Sequence, residues 1–139
     1  MTLPFSIHLA IERLQLDLRV GCEEEERREA QPIEIDVYLY MAKMPLGAIS
    51  DELKDTICYA KCMEIISTTA SKKEFQLIEH LAYEIHSALK KELPMTLEIS
   101  VKVRKIHPPL PYKMDGVSFT YFPQRAPEEK KVTRRWDEE

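Results

Sequence analysis

The feature that most constrains the fold is the order in which two kinds of hydrophobic pattern follow each other along the chain. Apolar and polar residues alternate in four segments, residues 7–20, 33–40, 97–103 and 117–121. Such alternation predicts β-strands that bury one face. Between the second and third segments, apolar residues recur every three or four positions, which predicts two amphipathic helices. The order ββααββ indicates an α+β fold, with a four-stranded antiparallel sheet and two helices on one face.

The first strand is predicted to be irregular. Its apolar residues occupy odd positions from Ile7 to Ile11 and even positions from Leu14 to Val20. Because successive residues of a strand point to opposite faces, this change of parity indicates a bulge or a bend. The polar stretch GCEEEERREAQP then connects the first two strands, and a long antiparallel hairpin is expected.

The second helix is more clearly marked than the first. Ser71 and Glu74 form an S-x-x-E sequence, which is typical of a capping box at a helix start, and Pro94 bounds the segment. The first helix is predicted over residues 55–69 from a more mixed spacing. The apolar residues that define the second helix are Ile78, Leu81, Ala82, Ile85 and Leu89.

Length and charge limit the function of the chain. Its 139 residues suit one domain, which we expect over residues 1–122, followed by a charged tail over residues 123–139 with five basic and five acidic residues. The net charge of −4 disfavours binding to nucleic acid or to an anionic membrane. No apolar stretch approaches the ~18 residues of a membrane span. Three cysteines and no recognisable secretory signal favour the cytoplasm.

Spacing alone singles out few chemically active residues. The sequence contains no metal-ligand cluster, no Ser-His-Asp arrangement and no phosphate-binding glycine loop. Neither a metal nor a cofactor is therefore expected. Glu79 falls in the first turn of the second helix, where a carboxylate is favoured by the helix dipole. Lys105 ends a strand beside a proline-rich loop, a common place for a catalytic group. Taken alone, a solvent-facing side chain is the default interpretation of each residue.

Five short motifs follow each other along the sequence. They are Gly21, Glu26 and Gln31; Asp51 with Asp55-Thr56-Ile57-Cys58-Tyr59; Leu77-Ile78-Glu79-His80-Leu81-Ala82; Lys105 with the prolines of HPPLP; and Asp115-Gly116-Val117. Together, over residues 11–122, they resemble the dihydroneopterin aldolases and the related dihydroneopterin triphosphate epimerases. Each motif is weak evidence by itself, but five in order on a ββααββ plan indicate this family.

The resemblance implies a tunnelling fold. In such a fold, subunits join edge to edge into a ring whose sheets form a barrel, and two rings can stack. A homo-oligomer of four or eight subunits is therefore expected, and ring closure would also protect the two open edges of the sheet. The active sites would lie between neighbouring subunits, so their residues need not meet within one chain.

The resemblance also implies a reaction, the retro-aldol cleavage of 7,8-dihydroneopterin in folate biosynthesis. The products would be 6-hydroxymethyl-7,8-dihydropterin and glycolaldehyde. Aldol cleavage needs an electron sink, which enzymes commonly supply as a lysine Schiff base or as zinc. Here the substrate's own C=N bond would serve, so the enzyme would need neither.

The matched residues have expected roles by the same resemblance. Glu79 would bind the amino group and ring N–H of the pterin, since a carboxylate can accept two parallel hydrogen bonds. Main-chain groups near Ile57 and Ile78 would complete this binding edge.

Three further residues would be catalytic, and Gln31, counted with the substrate-binding residues, would support one of them. Lys105 would transfer protons, and Tyr59 of the adjacent subunit would donate or relay a proton at the enol stage. Glu26 would position Lys105 or the hydroxyl groups of the substrate, with support from Gln31.

Other functions are also compatible with the sequence. The Glu-Glu-Glu run resembles the epimerase branch, whose enzymes break the same bond and then re-form it. A non-catalytic assembly subunit is a further possibility, disfavoured because binding alone would not require both Tyr59 and Lys105. A mechanism based on zinc or a nucleophilic cysteine is disfavoured because Cys22, the only loop cysteine, has no evident ligand partners.

Overall fold

Strands at both ends of the fold enclose a central helical region in the order that the sequence predicts. The computed structural model describes residues 7–124, so all but the first two residues of the predicted tail, 123–139, lie outside the described part of the chain. Short 3₁₀ turns occur at Glu26–Arg28 and Leu53–Asp55. The regular elements are β1 (Ile7–Leu18), β2 (Gln31–Met41), α1 (Gly47–Ser50), α2 (Tyr59–Ser71), α3 (Ile78–Glu92), β3 (Glu98–Lys105) and β4 (Val117–Tyr121).

One antiparallel sheet with the strand order β1-β2-β3-β4 carries the fold. In β2, Ile33, Ile35, Val37 and Leu39 are fully buried and alternate with half-buried polar and aromatic residues. These four side chains join a core cluster to which both α2 and α3 contribute. The α+β class, the four-stranded antiparallel sheet and the long first hairpin are therefore confirmed.

The irregularity predicted in the first strand is present. The register between β1 and β2 shifts between Ile11 and Leu14. Inside the shift, Arg13 has a φ of 50°, and its backbone N–H donates to Oδ1 of Asp36 at 2.6 Å. The bulge allows apolar residues on both sides of the shift to pack against the core.

The prediction that the first helix begins at residue 55 is wrong. Residues Leu53–Asp55 form a 3₁₀ turn, Cys58 is extended, and α2 begins at Tyr59. The short helix α1 was not predicted either. Periodicity has little power over such short segments, because one turn of helix contains too few residues to show a repeat.

The predicted capping box is also wrong. Ser71 is the last residue of α2, and α3 begins only at Ile78, after the extended Leu77. Between the helices, the buried Phe75 forms a parallel bridge with Val20 at the end of β1. Its N–H donates to the carbonyl of Arg19 at 3.0 Å, and its carbonyl accepts from the N–H of Gly21 at 2.9 Å. This tertiary pairing holds the segment in an extended form that local sequence cannot reveal.

Candidate active site

A pocket of about 530 Å³ opens where the ends of several elements meet. Its walls come from the loop after β1, the start of α3, the proline-rich loop after β3 and strand β4. The lining combines charged, polar and apolar residues. Among the residues that line it are Glu26, Ile78, Glu79, Lys105, Pro108 and Phe119.

The register of the sheet explains why these ends converge. Gln31 at the start of β2 pairs with Leu18 at the end of β1, and Ile33 pairs with Lys105 at the end of β3. Lys105 therefore continues the series of Val101 and Val103, whose side chains are buried on the core-facing side. A charged residue at the last position of such a series needs a partner.

Glu26 is that partner. Its Oε2 accepts a hydrogen bond from Nζ of Lys105 at 2.9 Å, although the two residues lie 79 positions apart. The side chains of Lys105 and Glu26 are only 13% and 14% exposed, so water screens the pair weakly. The pair fixes an ammonium group at the wall of the pocket.

Gln31, at the start of β2, also holds the carboxylate of Glu26. Its Nε2 donates to Oε2 of Glu26 at 3.2 Å and to the backbone carbonyl of Val20 at 2.8 Å. Gln31 therefore joins the strand pair to the loop that carries Glu26.

These contacts determine the charge state of Glu26. Burial, the largest influence, raises the pKa of its carboxyl group. Hydrogen bonds from Lys105 and Gln31, the positive charge of Lys105 and a backbone hydrogen bond from Cys22 act together in the opposite direction. The net pKa of Glu26 lies below the ordinary value of 4.5, so it is an anion at neutral pH.

Gly21, the glycine of the first motif, leaves space for the side chain of Glu26. A Cβ atom at Gly21 would overlap the side chain of Glu26, which lies directly against this backbone. Only glycine leaves room for the carboxylate to reach Lys105 by this route. The spacing of Gly21 and Glu26 therefore reflects direct packing.

The first turn of α3 brings a second carboxylate to the pocket. Glu79 is exposed and lines the pocket, and the neighbouring Ile78 is largely buried. The backbone N–H groups at a helix start favour negative charge nearby. The lining of the pocket thus includes the Glu79 carboxylate, a hydrogen-bond acceptor, as well as the Lys105–Glu26 pair.

Two of the predicted site residues lie elsewhere on the chain. Ile57 lines other pockets, and Tyr59, at the start of α2, is 58% exposed. Neither belongs to the walls of the pocket that contains Lys105. Within one chain, the structure groups Glu26, Gln31, Ile78, Glu79 and Lys105, and it leaves Ile57 and Tyr59 apart.

Sequence reasoning missed several groups of this site. Phe119, Pro108 and Leu110 form apolar walls, and they carry no distinctive spacing. Arg27 lies in the polar connector GCEEEERREAQP, where an exposed side chain is expected, yet its side chain is only 14% exposed.

The described residues contain neither a metal-ligand cluster nor a membrane-spanning helix. Across residues 7–124, no three His, Cys, Asp or Glu side chains are grouped in a way that could hold a metal ion. None of the helices in this part of the chain combines the length and the hydrophobicity that a membrane crossing requires.

Known proteins identify the family. A sequence model of the dihydroneopterin aldolase family matches residues 9–121. The chain belongs to the dihydroneopterin aldolase family. The probable dihydroneopterin aldolase of Chlamydia pneumoniae is 32% identical over 120 residues, which cover 86% of this chain and 90% of that relative. The dihydroneopterin aldolase of Methylorubrum extorquens is 31% identical over 107 residues, 77% of this chain and 82% of the relative.

The fold of this dihydroneopterin aldolase family member agrees with a solved structure. The crystal structure of Escherichia coli dihydroneopterin aldolase in complex with neopterin superposes with a TM-score of 0.72. It covers 85% of this chain and 99% of the Escherichia coli chain at 20% identity. The predicted family and the predicted fold are thus confirmed.

Proposed function

We propose that the protein is a 7,8-dihydroneopterin aldolase. The observation that carries this proposal is the pocket in which the Lys105–Glu26 ion pair and the Glu79 carboxylate lie together, in a chain of this family. The substrate is a pterin with a three-carbon polyol side chain. The products are 6-hydroxymethyl-7,8-dihydropterin and glycolaldehyde, and the step belongs to folate biosynthesis.

The chemistry is a retro-aldol cleavage between C1′ and C2′ of the side chain. The 2′-hydroxyl loses its proton, and C2′ and C3′ leave as glycolaldehyde. The electron pair of the broken bond forms a double bond between C1′ and C6, while the C6=N5 electrons move to N5, which takes a proton. The resulting enol then gains a proton at C1′ and loses one from N5. Because the substrate accepts the electrons itself, the reaction requires neither a metal nor a Schiff base.

Lys105 suits the proton transfers in this scheme. It faces the pocket and is hydrogen-bonded to Glu26, so its ammonium is held in place and can supply a proton at N5. An ammonium that donates to a carboxylate has no free electron pair for attack on a carbonyl, which favours proton transfer over covalent catalysis. Gln31 restrains Glu26 and supports Lys105 indirectly.

Glu79 suits recognition of the pterin ring. A carboxylate accepts two parallel hydrogen bonds from an amino group and the adjacent ring N–H, as it does from a guanidinium. Main-chain groups of Ile78 lie beside it at the helix start, and the apolar side chains of Phe119 and Pro108 can contact the faces of the ring.

The remaining groups would come from a neighbouring subunit. Ile57 and Tyr59 lie outside the Lys105 pocket of their own chain, and Tyr59 is exposed. Strands β1 and β4 are the two edges of the sheet, and an exposed edge favours pairing with another copy. A ring of subunits, as a tetramer or octamer, would place Tyr59 of one chain against Lys105 of the next.

The state of the cysteines supports a cytoplasmic location. Cys22, Cys58 and Cys62 are all unpaired in the structure. Free thiols persist in reducing compartments, whereas disulfides are favoured outside them.

Product analysis tests the proposed function. Purified protein is incubated with dihydroneopterin and, separately, with its triphosphate, with and without EDTA. We expect release of glycolaldehyde and hydroxymethyldihydropterin at a rate that EDTA does not change. A monapterin-type product without cleavage would show an epimerase, and the absence of any reaction would favour a non-catalytic assembly subunit. Activity lost to EDTA and restored by zinc would contradict the metal-independent mechanism.

A further inference from the structure

We propose that Arg27 is a positioning residue, whose guanidinium fixes the loop of residues 21–28 so that Glu26 holds Lys105 at the pocket wall. This inference rests on the proposed aldolase function for its kinetic consequence. Arg27 does not line the pocket, and it acts through Glu26 and Lys105 rather than on the substrate.

The contacts of Arg27 close the loop on itself. Its Nη1 donates to the backbone carbonyl of Gly21 at 2.8 Å and to that of Cys22 at 3.2 Å. The loop begins at these two residues, shortly after the end of β1 at Leu18, and turns back at the 3₁₀ segment Glu26–Arg28. One guanidinium therefore spans the base of the turn, and its planar fork suits two acceptors at once.

A third contact of Arg27 reaches the segment between α2 and α3. Its Nε pairs with Oε1 of Glu74 at 3.3 Å, in the segment that leads into α3. That segment is held independently by the buried Phe75, which pairs with Val20 through the backbone. Arg27 thus ties the loop of Glu26 to a fixed support, while the position of α3 does not depend on it.

A second arginine restrains the far end of the same loop. Nη1 of Arg19 donates to the carbonyl of Arg27 at 3.1 Å and to the carbonyl of Arg28. These carbonyls end a 3₁₀ turn and have no partner in a regular element. Restraint at both ends leaves the intervening Glu26 with one geometry, in which it meets Lys105.

Loss of Arg27 should therefore affect turnover more than binding. Glu79, which recognises the ring in the proposed site, lies on α3, and the Phe75 bridge remains. Lys105 would lose its fixed partner, and a displacement of a catalytic group by about 1 Å can lower a rate roughly 100-fold. We expect Arg27→Met to lower kcat by about 10- to 100-fold and to change KM for dihydroneopterin less than about twofold.

Arg28→Met is the matched control. Arg28 is adjacent and exposed, and no hydrogen bond or ion pair joins its side chain to another residue of the described chain. This variant should keep the wild-type kcat and KM. Arg27→Lys, a milder change, should recover part of the lost kcat, because one ammonium can bond a loop carbonyl but cannot span all three acceptors.

A second measurement makes the inference independent of the activity. Wild type, Arg27→Met and Arg28→Met are treated briefly with acetic anhydride, and acetylation of Lys105 is followed by mass spectrometry. If the loss of Arg27 separates Glu26 from Lys105, acetylation of Lys105 should rise several-fold. This rise should occur in Arg27→Met only. If the wild type cleaves no dihydroneopterin, the proposed function fails, and the acetylation rates still decide the role of Arg27.

Three results would overturn the inference. Equal acetylation of Lys105 in the two methionine variants would show that Arg27 does not hold its partner. Equal kcat values for an active wild type and for Arg27→Met would show that the loop does not need Arg27 to position Glu26. A fall in kcat accompanied by an equal rise in KM, with no recovery in Arg27→Lys, would indicate general disruption of the fold instead of positioning.

Discussion

The ion pair between Glu26 and Lys105 makes a testable contribution to stability as well as to the site. Glu26→Gln removes the negative charge and keeps the size of the side chain. The amide can still accept one hydrogen bond, but it leaves the Lys105 ammonium without a counterion at a position only 13% exposed. We expect this change to lower the free energy of unfolding at neutral pH.

The size of the loss follows from the burial of the pair. Breaking a fully buried pair costs about 3–5 kcal/mol, and an exposed pair contributes about 0–1 kcal/mol. Hydrogen bonds to charged groups contribute about 1.5–3 kcal/mol. With its two side chains 13% and 14% exposed, the pair lies between these limits, and we expect a loss of about 2 kcal/mol.

Glu84→Gln provides the matched control. Glu84 pairs with Lys72 at 2.8 Å, nearly the distance of the Glu26 pair, but the side chains of Lys72 and Glu84 are 49% and 24% exposed. Water screens this pair more strongly, so its loss should cost about 0.5 kcal/mol or less. The comparison separates burial from charge and distance.

The pH dependence has a definite sign. The folded-state pKa of Glu26 lies below 4.5, so its contribution is complete above about pH 4.5 and is lost as the pH falls through the lower folded-state value. Below that range the protonated wild-type side chain resembles glutamine. The difference between wild type and Glu26→Gln should therefore shrink as the pH falls below 4.5.

Urea unfolding at one fixed protomer concentration measures both effects, since association would change the apparent stability. Wild type, Glu26→Gln and Glu84→Gln are compared at pH 7 and at steps below pH 4.5. Equal losses in the two variants at pH 7 would refute the argument from burial. A wild-type advantage over Glu26→Gln that stays constant at low pH would refute the assignment of a lowered pKa to Glu26.

Other predictions address binding and catalysis. Glu79→Ala should abolish neopterin binding in calorimetry, because it leaves the ligand's buried N–H donors unpaired at a cost of ~1–3 kcal/mol or more; unchanged affinity would remove Glu79 from the site. Lys105→Ala should lower kcat by roughly 10²–10⁴-fold in a glycolaldehyde assay with a smaller change in neopterin affinity, and a near-normal kcat would contradict its role. Tyr59→Phe should impair turnover while binding persists, and refolding it together with Lys105→Ala chains should restore some activity. No recovery in a normally assembled mixture would refute the shared site. Gly21→Ala should reduce kcat, because its methyl group would displace the Glu26 side chain; the wild-type rate in a folded variant would contradict the packing argument.

Much of the fold could be predicted because its signals are local. The alternation from Ile33 to Leu39 follows from the geometry of a strand, whose side chains point to opposite faces in turn. All four of its apolar positions are fully buried, as this pattern predicts. The bulge between Ile11 and Leu14 was visible for the same reason, since a single strand cannot change parity without an irregularity.

The misplaced start of the second helix has a tertiary cause. At Ser71 and Glu74 the local sequence fits a capping box, but the bridge between Phe75 and Val20 holds the segment extended. That bridge joins residues 55 positions apart in the chain, and no pattern within either segment specifies it. Tertiary pairing here overrides a local preference of about 1 kcal/mol.

The sequence by itself determined the class of the fold, because periodicity is a property of each element alone. It also provided the family's motif residues, whose roles follow from resemblance and not from spacing. Only the tertiary structure decided which of them meet, because the register of β1, β2 and β3 brings Leu18, Gln31 and Lys105 to one end of the sheet. Glu26 reaches Lys105 across 79 positions of sequence, whereas Tyr59 stays outside their pocket. Proximity across such separations depends on how the elements pair and pack, and local patterns do not encode it.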